Sequence, residues 1–194
     1  MLSDAIEDGT YRDKYHIGDE IPYTTTDGDT YHAVIAAFGG ENGDVDADGN
    51  PIPVTFITKE LYGTKYRMND TNTNADGWEV TEMRRTTLPS IRAKMPSYVM
   101  DGVISAKKIS GLYPSGTQET VDELWIPSVY EVGLTPYENT GVKYTDLFID
   151  SAARIKNFNG TVTEYWLRTA DSSNTGRFRY VSSGGTTFTA NANN

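Results

Sequence analysis

Residues 165–189 read YWLRTADSSNTGRFRYVSSGGTTFT. Three short runs, Tyr165–Thr169, Phe178–Ser182 and Thr186–Thr189, are rich in aromatic and β-branched residues, as strands are. Asp, Asn and Gly separate the first two runs, and Ser183-Gly184-Gly185 supplies hairpin chemistry between the last two. This end of the chain therefore predicts a small antiparallel sheet. Upstream, Tyr31–Phe38 (YHAVIAAF) and Val54–Thr58 (VTFIT) read as two further strands, joined by a long Gly-, Asn- and Asp-dense loop. Short strands at Val103–Ile109 and Leu124–Ile126 complete the β inventory.

Helical signals are confined to the middle. Thr81 is an N-cap for a helix to about Thr87, with Glu82 facing the helix dipole. Pro89 suits the first position of a following turn, and Pro96 breaks or restarts it. Ser128–Val132 reads as a short helix closed by Gly133. The sum is an α+β fold, loop-rich, with short antiparallel strands around two or three short helices, in one domain spanning residues 1–194.

Charge excludes some functions. The chain has 17 basic and 27 acidic side chains, a net charge of -10. Residues 1–60 hold 13 acids and 3 bases, residues 61–150 hold 12 and 9, and residues 151–194 hold 2 and 5. An acidic molecule is not a general binder of nucleic acid, which needs a basic face. No apolar run is long enough to span a bilayer, and MLSDAIEDGT lacks the basic start of a secretion signal. The absence of cysteine removes disulfides, thiolate metal sites and thiol nucleophiles.

Chemistry-bearing patterns are few. Asp44-x-Asp46-x-Asp48-Gly49 spaces three carboxylates like the first half of a calcium loop. The twelfth position is Thr55 instead of a closing Glu, which excludes an EF-hand. A looser calcium site completed by Glu41, Asn42 or Asn50 and a solvated hairpin tip both remain open. The two histidines, His16 and His32, belong to no metal or triad motif, and acid pairs such as Glu79 with Glu82 and Asp122 with Glu123 carry no catalytic context. A non-enzyme is expected. From Thr169 onward the chain is mostly Ser, Thr, Asn, Arg, Tyr and Phe, the composition of a binding surface and equally of an exposed sheet edge.

Several motifs recur in order along the chain: Gly77-Trp78-Glu79-Val80-Thr81-Glu82-Met83-Arg84, Leu88-Pro89, the run Asp122–Gly133 (DELWIPSVYEVG) and Tyr165-Trp166-Leu167-Arg168-Thr169. Together they resemble an uncharacterised domain family of gut bacteria and their phages that carries a Trp-Trp-Leu-Arg-Ser strand. That family is similar to C-type-lectin-like and formylglycine-generating-enzyme-like domains, used for ligand display in phage tails and in the variable proteins of diversity-generating retroelements. The resemblance implies a receptor-binding or adhesin module on a virion, with the bacterial cell surface as the alternative address. Its partner would be a host surface protein or glycan. The second reading is a structural virion or surface protein whose C-terminal segment makes contacts with further copies or other virion proteins.

By the same resemblance, Trp78, Arg84, Trp125, Trp166 and Arg168 are structural, and Ser172, Ser173, Asn174, Arg177, Arg179, Tyr180 and Ser182 face the ligand. The family's enzymatic relatives use paired cysteines with copper, which this chain cannot supply. Two departures stand out. Tyr165 replaces a Trp, and no Gly-x-Arg-Pro-Ala-Phe strand follows the final Asn191-Ala192-Asn193-Asn194. The expectation is therefore a domain lacking its final strand, with an open sheet edge.

Overall fold

The computed structural model describes residues 1–40, 43–63, 65–134, 138 and 141–194. Two short helices, α1 (Leu2–Glu7) and α2 (Tyr11–Lys14), precede a meander of β1 (Glu20–Thr24), β2 (Thr30–Phe38) and β3 (Val54–Thr58). The middle of the chain holds a 3-10 turn (Trp78–Val80), a π-helical turn (Met83–Thr87), α3 (Leu88–Arg92) and α4 (Ser97–Met100). There follow β4 (Ala106–Gly111), β5 (Thr117–Asp122), a 3-10 turn (Ala152–Arg154), β6 (Lys156–Phe158) and β7 (Thr161–Thr163). The chain closes with β8 (Tyr165–Ala170), β9 (Arg177–Val181) and β10 (Thr187–Asn191).

These strands form four small antiparallel sheets: β1-β2-β3, β10-β9-β8, β4-β5 and β6-β7. The C-terminal sheet supplies side chains to both apolar clusters. Tyr165, Leu167 and Val181 join Ala36, Val129, Val132, Tyr144 and Phe148 in one. Ala170 and Phe178 join Met68, Trp78, Met83, Leu88 and Ile91 in the other. A register shift in the β8–β9 pairing between Trp166 and Ala170 lets one strand feed both clusters.

The α+β, C-type-lectin-like expectation is overturned. Among the described residues the α-helices have four to six residues, and the strands form only small antiparallel sheets. The reason lies in the segment from Thr81 to Met100. Thr81 Oγ1 accepts the Arg84 N–H at 3.2 Å, as an N-cap should, but the turn it starts winds as a π-helix. Pro96 then adopts an extended backbone and restarts the chain at α4. The molecule is a loop-rich assembly of small antiparallel sheets, and the lectin-like description of residues 1–194 falls with the fold.

Local expectations fared unevenly. Val54–Thr58 matches β3, and the strands of residues 165–189 shift by one or two residues at their ends. Leu124–Ile126 is irregular, whereas the polar segment Thr117–Asp122 pairs with β4 over its whole length. Gly133, at φ 74°, closes a helical turn in which Val132 N–H reaches Ser128 C=O. Among the described residues no helix is long and apolar enough to cross a membrane.

Candidate functional site

Two regions gather polar groups: a buried chain of charges and the outer part of the C-terminal sheet. The first begins in β4, where alternation turns Ala106, Lys108 and Ser110 inward. Lys108 Nζ bonds Asp44 Oδ1, reaches Glu131 Oε1 at 3.0 Å and Tyr144 Oη at 2.9 Å, and lies 4.0 Å from the Trp125 ring centre. Arg168 from β8 grips Glu131 with two nitrogens at 2.5 and 2.8 Å. The exposures of Asp44, Lys108, Glu131 and Arg168 are 1%, 1%, 3% and 1%. Two buried acids are thus matched by two buried bases, the condition under which such burial is tolerated.

Glu131 is held twice over. Ser128 N–H donates to its carboxylate at 3.0 Å, and its own N–H donates to Ser128 Oγ at 3.1 Å, a capping box written in the sequence as Ser-x-x-Glu. Burial pushes this carboxyl up, but the charges of Arg168 and Lys108 outweigh burial and hold it at about 2. Burial, with Glu131 and Asp44 beside it, raises the Tyr144 hydroxyl well above its ordinary value. A cavity of about 130 Å³ adjoins this chain, lined in part by Asp44, Ile109, Ser128, Glu131, Val142 and Arg168.

The candidate calcium ligands do not converge. Asp44 turns inward to Lys108, Tyr144 and Thr55. Asp46 organises its own turn, accepting the N–H groups of Asp48 and Asn50 and the Asn50 side chain. Asp48 is exposed. Glu41 and Asn42, the other proposed ligands, lie outside the described residues. Among the described residues no group of three or more acidic, histidine or cysteine side chains could hold a metal ion.

Of the side chains assigned structural roles, Trp78 lies in one apolar cluster, Trp125 and Trp166 pack against it, Arg84 pairs with Asp122 and Arg168 belongs to the charge chain. Trp78 is fully buried and donates its indole N–H to Asp122, which also accepts Arg84 Nε at 2.6 Å. Trp166 donates to Tyr66 C=O at 2.8 Å. His32, half-exposed, pairs with Glu60 at 2.8 Å.

The ligand-facing candidates separate into groups. Ser172, Ser173 and Asn174 form the turn before β9. Ser173 donates to Asp171, and Asn74 closes the loop from beneath by donating to the carbonyls of Asp171, Asn174 and Arg177. Ser182 lies after β9 in the hairpin turn, bonded to Thr186. Arg179 is drawn toward buried Asp171 at 3.4 Å.

Arg177 and Tyr180 line a shallow depression of about 370 Å³, together with Glu164, Thr189, Ala190 and Asn191. Register builds an aromatic row beside it. Trp166 pairs with Tyr180 across β8–β9, and Tyr180 with Phe188 across β9–β10. Ring centres are 6.3 and 6.1 Å apart, within the range of aromatic pairs. Phe188 is 54% exposed. Sequence reasoning missed Glu164 and Phe188; the period-2 pattern of the three strands was the available signal.

Residues 53–194 match the family model described as a domain of unknown function, DUF6273. No curated protein and no solved structure matches the chain.

Proposed function

The chain belongs to the DUF6273 family, and on that footing we propose that it is a non-catalytic binding module whose contact surface is the outer part of the C-terminal sheet. The observation that carries this reading is the aromatic row Trp166–Tyr180–Phe188 beside the polar depression of Arg177, Glu164 and Asn191. Rigid rings offer contact area at little entropic cost, and Arg with small polar groups supplies orientation. The deep carboxylates Asp44 and Glu131 are spent on Lys108 and Arg168, which supports a structural role for the charged interior.

The motif series quoted above supports a host surface protein or glycan as the ligand and a phage tail, virion or bacterial surface as the address. The test is retention of the labelled chain on a glycan array and on fixed bacterial cells, beside a variant with Arg177→Ala, Tyr180→Ala and Phe188→Ala. Binding by the native chain that the variant loses, with an unchanged melting curve, is expected. Equal binding by both, or none by the native chain on either probe, refutes the proposal.

A further inference from the structure

Among the described residues, β10 lies at one side of its sheet and pairs with β9 alone. The ends of that ladder are marked by Ser182 N–H to Thr186 C=O at 2.8 Å and Ala192 N–H to Gly176 C=O at 2.9 Å. Antiparallel ladders alternate, so Phe188 and Ala190 turn their N–H and C=O groups toward β9. Thr187, Thr189 and Asn191 turn theirs outward. Among the described residues, the one backbone bond to this outward row is Asn194 N–H on Asn191 C=O at 3.1 Å.

Such a row is a template for another strand, and exposed edges are ordinarily blunted by charge, proline or a bulge. β1, also at a sheet edge, carries Glu20 and Pro22. Thr187-Phe188-Thr189-Ala190-Asn191 carries no charged residue and no proline, and its register against β9 is unbroken.

We propose that β10 pairs antiparallel with β10 of a second copy, about a two-fold axis at Thr189. The strand is self-complementary in this register. Thr189 faces its own counterpart, Thr187 faces Asn191, and every outward N–H and C=O finds a partner. No like charges meet, although each molecule carries -10 overall. Phe188, which among the described residues has its aromatic neighbour Tyr180 on the β9 side, gains Ala190 of the other copy across the seam. The two small sheets become one of six strands with isologous symmetry. The contact runs along the outer edge of β10 and shares Phe188, Thr189, Ala190 and Asn191 with the surface proposed above; it rests on the edge alone, so it goes beyond that binding role and stands without it.

Sedimentation equilibrium of the full chain should give twice the 21.5 kDa of one copy. Because the chain has no native cysteine, Thr189→Cys isolates the contact. Facing Cα atoms about 5.5 Å apart in a hydrogen-bonded pair fall within disulfide reach. Mild oxidation should trap a reductant-sensitive dimer, while Ser183→Cys at the hairpin turn stays monomeric. Thr189→Pro removes only an outward N–H and should weaken association about tenfold or more, with the circular dichroism unchanged. A native chain that is monomeric up to about 100 µM overturns the proposal. So does equal cross-linking at Ser183, or association that survives Thr189→Pro in a folded chain. A monomer that captures an extended peptide from another protein counts against it in the same way.

Discussion

Glu131→Gln is the most informative single change, because it keeps shape and removes one charge from the buried chain. In the folded protein the carboxyl is moved from 4.5 to about 2, with burial opposing and Arg168 and Lys108 winning. A shift of that size corresponds to about 3 kcal/mol at neutral pH. The amide also leaves Arg168 buried without its counter-charge, and breaking one side of a buried pair costs about 3–5 kcal/mol. That is a large share of the roughly 5–15 kcal/mol that holds a domain together.

Urea unfolding followed by tryptophan fluorescence is a suitable assay, since Trp125 packs on Lys108. The midpoint should fall without a change in slope. The sign with pH follows from the lowered folded value. The carboxylate's contribution is complete above about 4.5 and is lost as pH falls through about 2. The gap between native and variant protein should therefore narrow from about pH 5 to about pH 2. Adding Arg168→Met should recover part of the loss, because no unpaired guanidinium remains. A gap below about 1 kcal/mol at neutral pH, or one unchanged at about pH 3, refutes the reasoning.

Three other outcomes follow from local geometry. Gly185→Ala places a methyl 1.8 Å from Ser151 C=O at φ 74°, so its melting temperature should fall much further than that of Gly28→Ala. The latter has open space at φ 97° and meets only the backbone cost of about 1–2 kcal/mol. Asn74→Ala strips the donor from three loop carbonyls and should cost about 1–3 kcal/mol, with faster tryptic cleavage at Arg177. Burial lowers Lys156 to about 8 from 10.5, so the unfolded chain binds more protons between those values. The native protein should therefore gain stability relative to Lys156→Met as pH rises across that window, as urea midpoints of both proteins at its two ends will show.

What could be read from the sequence was local. β3 and the C-terminal strands announce themselves because alternation and turn residues act over a few positions. β5 did not, since Thr117-Gln118-Glu119-Thr120 carries no apolar signal and is a strand because β4 pairs with it. The helical caps were readable, but helix length was not, because the π-turn and the extended Pro96 depend on packing around Trp78 and Leu88. The Asp44 spacing was plain, yet the direction of its side chain is set by a lysine 64 positions away. Arg177 and Tyr180 could be named as surface candidates. Phe188 and Glu164 required the register of three strands to bring them beside Tyr180. The motif resemblance singled out Trp78, Trp125, Trp166 and Arg168 without specifying the fold around them; Trp78 and Arg168 are buried and the other two tryptophans are partly exposed.

The charge chain also bears on how the protein reaches its native state. Asp44, Lys108, Glu131 and Arg168 come from four segments widely separated in sequence. None can leave water favourably until its opposite number has arrived, so a half-assembled interior meets the penalty of ion burial without the compensating attraction. Closure of these long loops must precede the reward, which places the chain among slow, non-local folders. Arg168 also lies on β8, the strand on which β9 and β10 are built, so the charge chain and the C-terminal sheet share one strand. Loss of the Arg168–Glu131 pairing therefore loosens the strand that carries the outer surface of the C-terminal sheet.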